Sequence, residues 1–148
     1  PPLAVATVRA AVDEAARRCP GLPLFAGGKS FGGRMTSTAQ ALAPLPGVRG
    51  LVFFGFPLHA AGKPSDDRAA HLFDISIPML FLQGRRDKLA EPGLIEPICD
   101  RLGEAATLHM VDFADHSFHV PKKASGTDDD AVLDDLVATT ASWMDDQL

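Results

Sequence analysis

The chain has 148 residues, of which 46% are hydrophobic and 22% are charged, and this is the size and composition of a single globular domain over residues 1–148. Its net charge of -5, with the 14 basic residues scattered along the chain, argues against a nucleic-acid partner. The longest apolar run is shorter than the roughly 18 residues that a membrane span needs. Since no signal peptide is visible either, we predict a cytoplasmic protein with no membrane partner.

The two cysteines are far apart in the sequence and lack the spacing of metal ligands. Cys19 and Cys99 therefore predict two buried, reduced thiols rather than a disulfide or a metal site.

The first elements of the chain are a helix, a strand and a second helix. Valines recur at helical spacing within residues 3–18, and Cys19-Pro20-Gly21 ends that helix. The apolar segment Leu22-Pro23-Leu24-Phe25-Ala26 predicts a short strand, and residues 34–43 favour a helix. A glycine-rich turn, residues 27–33, lies between this strand and this helix.

The remaining elements alternate in the same way. Residues 48–56 are apolar on both faces, as in a strand that is buried within a parallel sheet. Further strands are predicted at 77–82 and 107–111, and helices at 69–73, 91–102 and 128–148. In the last helix, the predicted apolar stripe contains Val132, Leu133, Leu136, Val137, Thr140, Trp143 and Met144. This alternation predicts an α/β fold with a parallel sheet flanked by helices.

The glycine-rich turn contains the pattern G-x-S-x-G in Gly28-Lys29-Ser30-Phe31-Gly32. Between a strand and a helix, this pattern is typical of a nucleophile elbow, which exposes a serine above the sheet. We expect a side chain at Gly28 or Gly32 to collide with its neighbours, and we expect the glycines to supply the unusual backbone angles. The hydroxyl of Ser30 would then lie at the start of a helix, where N–H groups favour negative charge.

A phosphate-binding turn is the alternative interpretation of this motif. Gly28-Lys29-Ser30 matches the end of a phosphate loop, but Pro23 stands where the first glycine of that loop is required. The spacing therefore disfavours phosphate binding.

Four chemically useful residues follow the predicted strands. Ser30, His59, Asp87 and His116 each come shortly after a strand end, and in parallel sheets these ends share one edge. Nucleophile, acid and histidine in this chain order are typical of a catalytic triad. His116 would remove the proton of the Ser30 hydroxyl, and Asp87 would orient and stabilise the imidazole.

Other residues near this edge have less certain roles. The N–H of Phe31 is predicted to be an oxyanion donor, and Lys29 and His59 are predicted to bind substrate. For His59, a purely structural hydrogen bond is the equal alternative. His119 is a rival to His116 as base, and His116 with His119 could also ligate a metal, although their loop position disfavours this. Four further polar residues are assigned structural, capping or supporting roles: His71, His109, Asp112 and Asp115.

Four segments carry a resemblance to a known family: Gly27-Gly28-Lys29-Ser30-Phe31-Gly32-Gly33-Arg34-Met35, Phe56-Pro57-Leu58-His59-Ala60-Ala61-Gly62-Lys63-Pro64, Gln83-Gly84-Arg85-Arg86-Asp87 and Ala114-Asp115-His116-Ser117-Phe118. With them the chain resembles the α/β-hydrolase superfamily, and within it the dienelactone-hydrolase-like bacterial proteins related to testis-expressed protein thirty and NSL-complex regulatory subunit three. The second segment is the one specific to this subfamily. Dienelactone hydrolases proper have cysteine in place of Ser30, which argues against their specific reaction.

The resemblance implies a serine hydrolase with no cofactor and no metal, acting on a small-molecule ester, thioester or related acyl substrate. Because the family also includes noncatalytic proteins, an interaction or scaffold domain is the alternative. Residues 57–77 are too few for a separate cap domain, so we expect an open, shallow pocket.

The resemblance also implies further strands before the elbow, where this chain has only a helix. The strand Leu22-Pro23-Leu24-Phe25-Ala26 would then be an exposed apolar edge. We therefore expect that the domain lacks its N-terminal strands, or that a partner chain or a second copy covers this edge.

Overall fold

The computed structural model describes residues 2–148, in which helices alternate with strands. The helices and strands are α1 (Pro2–Arg18), β1 (Leu24–Lys29), α2 (Phe31–Leu42), β2 (Val48–Phe54), β3 (Met79–Gly84), α3 (Pro92–Leu102), β4 (Ala106–Val111), α4 (Lys122–Ser125) and α5 (Asp129–Asp146). Two 3-10 helices span Asp67–Asp74 and Gly103–Ala105. None of the helices in residues 2–148 combines the length and the apolar character that crossing a membrane requires.

The described strands form one parallel sheet in the order β1-β2-β3-β4. All six residues of β3 are buried, because strands lie on both of its sides and helices cover both faces. The α/β fold predicted from the sequence, a parallel sheet flanked by helices, is therefore confirmed.

Alternate residues of the strands divide the core between the two faces of the sheet. On one face Phe53 and Phe81 pack with their ring centres 4.9 Å apart, and this cluster includes side chains of α1, α2 and α3. On the opposite face Val52 and Leu80 pack with α5, whose Trp143 is buried. These two layers of packed side chains hold the sheet between them, with the carboxyl ends of its parallel strands along one edge.

The boundaries around the glycine-rich turn differ from the prediction. Gly27, Gly28 and Lys29 pair in register with Val52, Phe53 and Phe54, so these residues belong to β1 rather than to the turn. Helix α2 begins at Phe31 instead of residue 34. Only Ser30 is left between strand and helix, which makes the turn tighter than expected.

Three residues that the sequence predicts to be buried are exposed: Leu133, Val137 and Cys19. Leu133 and Val137 of α5 are 58% and 60% exposed, since the sheet contacts only the stripe that holds Val132, Leu136 and Trp143. The prediction of a buried thiol is wrong for Cys19, which lies in the turn after α1, and right for Cys99.

The outer side of β1 faces a groove. Within residues 2–148, β1 pairs with β2 alone. Along its other side α1, β1 and α2 line a groove of about 360 Å³, with Val8, Leu24 and Ala26 among its apolar residues. The expectation that another segment or chain covers this edge stays a prediction.

Candidate active site

Ser30 is the single residue that links β1 to α2. Its backbone has a positive φ of 51° with ψ of -119°, a combination that is rare for a residue with a side chain. Two hydrogen bonds hold it: the N–H of Ser30 donates to the carbonyl of Phe54 at 3.0 Å, and the N–H of Arg34 donates to the carbonyl of Ser30 at 3.1 Å. The strained link points the side chain away from both elements, as in a nucleophile elbow.

The glycines around Ser30 have different roles from those predicted. A Cβ on Gly33 would lie 2.7 Å from the carbonyl oxygen of Gly28, and a Cβ on Gly28 would lie 3.0 Å from the nitrogen of Gly33. These two glycines allow strand and helix to approach. The predicted collision is wrong for Gly32, where a Cβ would meet nothing within 4 Å. In this turn the positive φ belongs to Ser30 itself and not to a glycine.

Three polar side chains from separate parts of the chain form a continuous hydrogen-bonded row. The Nε2 atom of His116 is 2.8 Å from Oγ of Ser30, and its Nδ1 atom is 2.7 Å from Oδ2 of Asp87. Asp87 is 1% exposed, and its other oxygen accepts the N–H of Leu89 at 2.7 Å. With the ring proton on Nδ1, His116 donates to Asp87 and accepts from the Ser30 hydroxyl.

The loop that carries His116 is fixed by its own polar side chains and by a close approach to β3. Asp115 accepts the N–H groups of Ser117 at 2.8 Å and His119 at 3.0 Å, so its carboxylate caps the turn. A Cβ on Gly84 would lie 2.4 Å from the carbonyl oxygens of Ala114 and Asp115. Because Gly84 has no side chain, the loop can rest on the end of β3 and direct His116 toward Ser30.

The other histidines bond to partners outside this row. His119 is exposed and lies 2.7 Å from Asp129, whose carboxylate raises the pKa of His119 through a hydrogen bond. His71 lies 2.7 Å from Ser37, and His109 lies 2.7 Å from Asp135. Of the two candidate bases, His116 is therefore the one that contacts both Ser30 and Asp87.

His59 is buried below the edge of the site, with both ring nitrogens occupied. Nδ1 is 2.8 Å from the carbonyl of Ala60, and Nε2 is 2.5 Å from the carboxylate of Glu91. Burial lowers the pKa of His59, but the hydrogen bonds to Ala60 and Glu91 outweigh it and raise the pKa overall. This geometry favours the structural alternative for His59, and its contact with substrate stays a prediction.

Lys29 and Phe31 flank Ser30 on the exposed side. Lys29 is exposed, with Nζ 3.5 Å from Oγ of Ser117, and its role in substrate binding stays a prediction. Phe31 is the first residue of α2, so its N–H has no carbonyl partner within the helix. Its role as an oxyanion donor stays a prediction. The Phe31 ring is 50% exposed, and the guanidinium of Arg34 lies 5.7 Å from its centre.

Residues 1–145 match a family described as the alpha/beta hydrolase domain. The chain belongs to the α/β-hydrolase family. Similar solved structures include a serine hydrolase without a lid from Xanthomonas campestris, with 25% identity over 74% of this chain and 46% of that one and a TM-score of 0.54. A serine hydrolase homologue from Coxiella burnetii has 16% identity over 76% of this chain and 50% of that one, with a TM-score of 0.62.

A predicted CIB-like hydrolase from Thermoplasma acidophilum matches 95% of this chain and 59% of its own length, with 14% identity and a TM-score of 0.62. The chain thus spans about half the length of the structures it matches. At this identity the Coxiella and Thermoplasma structures support the fold alone. The narrower resemblance to dienelactone-hydrolase-like proteins stays a prediction.

Several residues of this α/β-hydrolase could not be assigned a role in advance. Leu89 and Glu91 support Asp87 and His59 through contacts between separate loops, and no local pattern marks such contacts. Arg34 does carry a signal, because it follows Ser30 by four residues and so lies on the same side of α2. In the part of the chain that the structure describes, no group of three or more histidine, cysteine or acidic side chains could hold a metal ion.

Proposed function

We propose that this chain carries the catalytic residues of a serine hydrolase that cleaves a carboxylic ester, thioester or related acyl substrate. The observation that carries the proposal is the row of hydrogen bonds from Ser30 through His116 to the buried Asp87, at 2.8 and 2.7 Å. These distances are those of a base in direct contact with its nucleophile and with the carboxylate that orients it.

In the proposed reaction, Oγ of Ser30 attacks the carbonyl carbon of the substrate while Nε2 of His116 takes the hydroxyl proton. Asp87 stabilises the positive imidazolium that results. The N–H of Phe31 donates a hydrogen bond to the negatively charged carbonyl oxygen. In a comparable site, one such donor stabilises the transition state by about 2.7 to 4 kcal/mol. The bond to the leaving group then breaks, and His116 returns the proton to the departing alcohol or thiol.

The second half of the reaction releases the acyl group. Water attacks the ester formed on Ser30 while His116 takes one of its protons, and the bond to Oγ breaks to give a carboxylic acid and the free hydroxyl. The Xanthomonas structure at 25% identity is described as a serine hydrolase without a lid. The connection between β2 and β3, residues 55–78, is too small for a separate cap domain, which agrees with a similarly open site that suits small or extended acyl groups.

A fluorophosphonate probe, which labels activated serines, tests the proposal. We expect labelling of the native chain and its loss in Ser30→Ala. The matched control is Ser37→Ala, because Ser37 also contacts a histidine, His71, but is fully buried and donates its own proton to the carbonyl of Arg34. The Ser37→Ala protein should still be labelled. Absence of labelling in a folded native protein would favour the alternative of a noncatalytic interaction domain.

A further inference from the structure

Two arginines, Arg34 and Arg68, have no carboxylate partner among the described residues. Arg34 is one helical turn after Ser30 on α2, and Arg68 is on the 3-10 helix Asp67–Asp74. Within residues 2–148 neither guanidinium forms an ion pair, as is also true of four of the seven other arginines. Arg34 differs from the other unpaired arginines of the described residues, because its Nε atom is buried without a hydrogen-bond partner.

Arg34 is held in place by packing, and part of its hydrogen-bonding capacity is unused. Its guanidinium lies 5.7 Å from the centre of the Phe31 ring, next to the proposed oxyanion donor. The Nε atom is buried and has no hydrogen-bond partner among the described residues. A buried N–H of this kind is ordinarily satisfied, so this atom is available to water or to a bound ligand.

Arg68 is brought toward the same place by the contact between the 3-10 helix and α2. His71 of that 3-10 helix lies 2.7 Å from Ser37 of α2, one turn beyond Arg34. Burial lowers the pKa of Arg34, and the positive charge of Arg68 lowers it further, as expected for two cations near each other. The positive charge of Arg68 also opposes the protonation of His59.

The nearby acidic side chains, which are Asp66 and Asp67 just before Arg68 and Asp74 on the same 3-10 helix, form no ion pair with Arg34 or Arg68 within the described residues. The pKa of His71 is lowered overall, first by burial and then by the charge of Arg34. Asp74 is close enough to His71 to oppose this shift and raise that pKa. Two like charges in a partly buried position repel each other, and an anion between them would remove the repulsion.

We propose that Arg34 and Arg68 form a subsite that binds a free carboxylate on the substrate, so that the hydrolase acts on anionic esters or thioesters. A carboxylate fits because the planar fork of arginine donates two parallel N–H groups to its two oxygens. This inference rests on the proposed function, since it names the class of substrate that Ser30 would attack.

The test compares esters that differ only in charge. One pair carries the carboxylate on the acyl side, p-nitrophenyl hemiadipate against p-nitrophenyl hexanoate, and the other carries it on the alcohol side, 4-acetoxybenzoate against its methyl ester. The native protein should have the higher kcat/KM for the charged member of at least one pair. In Arg34→Gln that kcat/KM should fall about tenfold or more, the usual effect of losing a hydrogen bond between charged groups, with little change for the neutral ester.

Three variants make the comparison specific. Arg68→Gln should reduce the same preference, and Arg34→Lys, which keeps the charge but not the fork, should retain part of it. Arg49→Gln is the matched control, because Arg49 is exposed near the start of β2, at the opposite edge of the sheet, and should have no effect. Thermal unfolding of each variant identifies any loss that comes from misfolding.

Binding to Ser30→Ala separates this inference from the proposed function. Calorimetry with p-nitrophenyl hemiadipate should show binding that Arg34→Gln, added to Ser30→Ala, weakens by about tenfold. If neutral esters are hydrolysed but Arg34→Gln changes neither preference nor binding, the subsite is refuted and the hydrolase proposal stands. If no ester is hydrolysed but this binding is seen, the subsite stands and the hydrolase proposal fails. If no ester is hydrolysed and no binding of p-nitrophenyl hemiadipate to Ser30→Ala is seen, the subsite is refuted.

Discussion

The imidazole of His59 and the carboxylate of Glu91 lie 2.5 Å apart, and they join the loop after β2 to the start of α3. Between these elements, the carbonyl of Leu89 accepts the N–H groups of Leu58 at 2.9 Å and His59 at 3.2 Å. The N–H of Leu89 in turn donates to Asp87. The buried histidine therefore supports the segment that holds the acid of the proposed triad.

The His59–Glu91 pair should stabilise the fold most in mildly acidic solution. The pKa of His59 is raised in the folded protein, so its contribution is complete below the ordinary value of 6.5 and is lost as pH rises through the folded value. The pKa of Glu91 is lowered, so its contribution is present above the ordinary value of 4.5 and is lost as pH falls through the folded value. Between these two values, Glu91→Gln should lower the free energy of unfolding by about 0.5 to 1 kcal/mol, a modest effect because the side chain of Glu91 is 43% exposed.

Urea unfolding of both proteins from pH 4 to pH 9 would measure this difference. Glu96→Gln is the control, because Glu96 lies on α3, five residues after Glu91, but contacts Arg85 at 3.5 Å instead of a histidine. A loss of stability in Glu91→Gln that stays constant across this range would contradict the assignment.

Asp87→Asn should remove most of the proposed hydrolase activity without unfolding the protein. Asparagine keeps an oxygen that can accept the N–H of Leu89, but it cannot balance the charge of a protonated His116. The kcat for an activated ester should fall by about 10³ to 10⁴-fold, by analogy with other triads. Asp112→Asn, which changes an exposed partner of Arg85, should retain full activity. An active Asp87→Asn enzyme would exclude this triad.

Adjacent glycines in the first turn of α2 should respond in opposite ways to alanine. Gly33→Ala places a Cβ 2.7 Å from the carbonyl oxygen of Gly28, so it should destabilise the protein by about 1 to 3 kcal/mol. Gly32→Ala meets open space and a helical backbone, so it should stabilise the protein by about 0.4 to 1 kcal/mol. Chemical denaturation measures the free energy of unfolding of each variant. Equal changes in Gly33→Ala and Gly32→Ala would show that β1 and α2 pack less closely at Gly33 than described.

The two thiols should differ in reactivity in the native protein. Cys19 is exposed, whereas burial raises the pKa of Cys99 to about 12 and leaves little thiolate at neutral pH. Ellman's reagent should therefore react rapidly with Cys19 alone, and with both cysteines after denaturation in guanidinium. Cys19→Ser removes the rapid reaction if the assignment is right. A rapid reaction that persists in this variant would mean that Cys99 is accessible.

The order of the elements could be predicted because the central strands are continuous apolar runs and the helices repeat apolar residues at helical spacing. The end of β1 could not, since Gly27, Gly28 and Lys29 have low strand propensity and become a strand only by pairing with β2. The exposure of Leu133 and Val137 also escaped prediction, because it depends on how narrow the contact between α5 and the sheet is.

The residues of the proposed triad could be predicted because strand ends meet at one edge of a parallel sheet, which brings distant positions together. Their hydrogen-bonded geometry follows from this arrangement. Glu91 and Arg68 could not be found in the same way, because they come from connecting segments whose paths depend on tertiary contacts. For His59, the sequence left two roles open, and burial of the ring favours one of them.

The left-handed backbone at Ser30 gives glycine an advantage over every other residue at that position. Glycine adopts such angles without steric penalty, and a strained residue of this kind costs about 1 to 3 kcal/mol. A relative that no longer needed the Ser30 hydroxyl would have a more stable fold with glycine at this position. Retention of serine at residue 30 across relatives would therefore record selection for chemistry acting against selection for a sturdier protein.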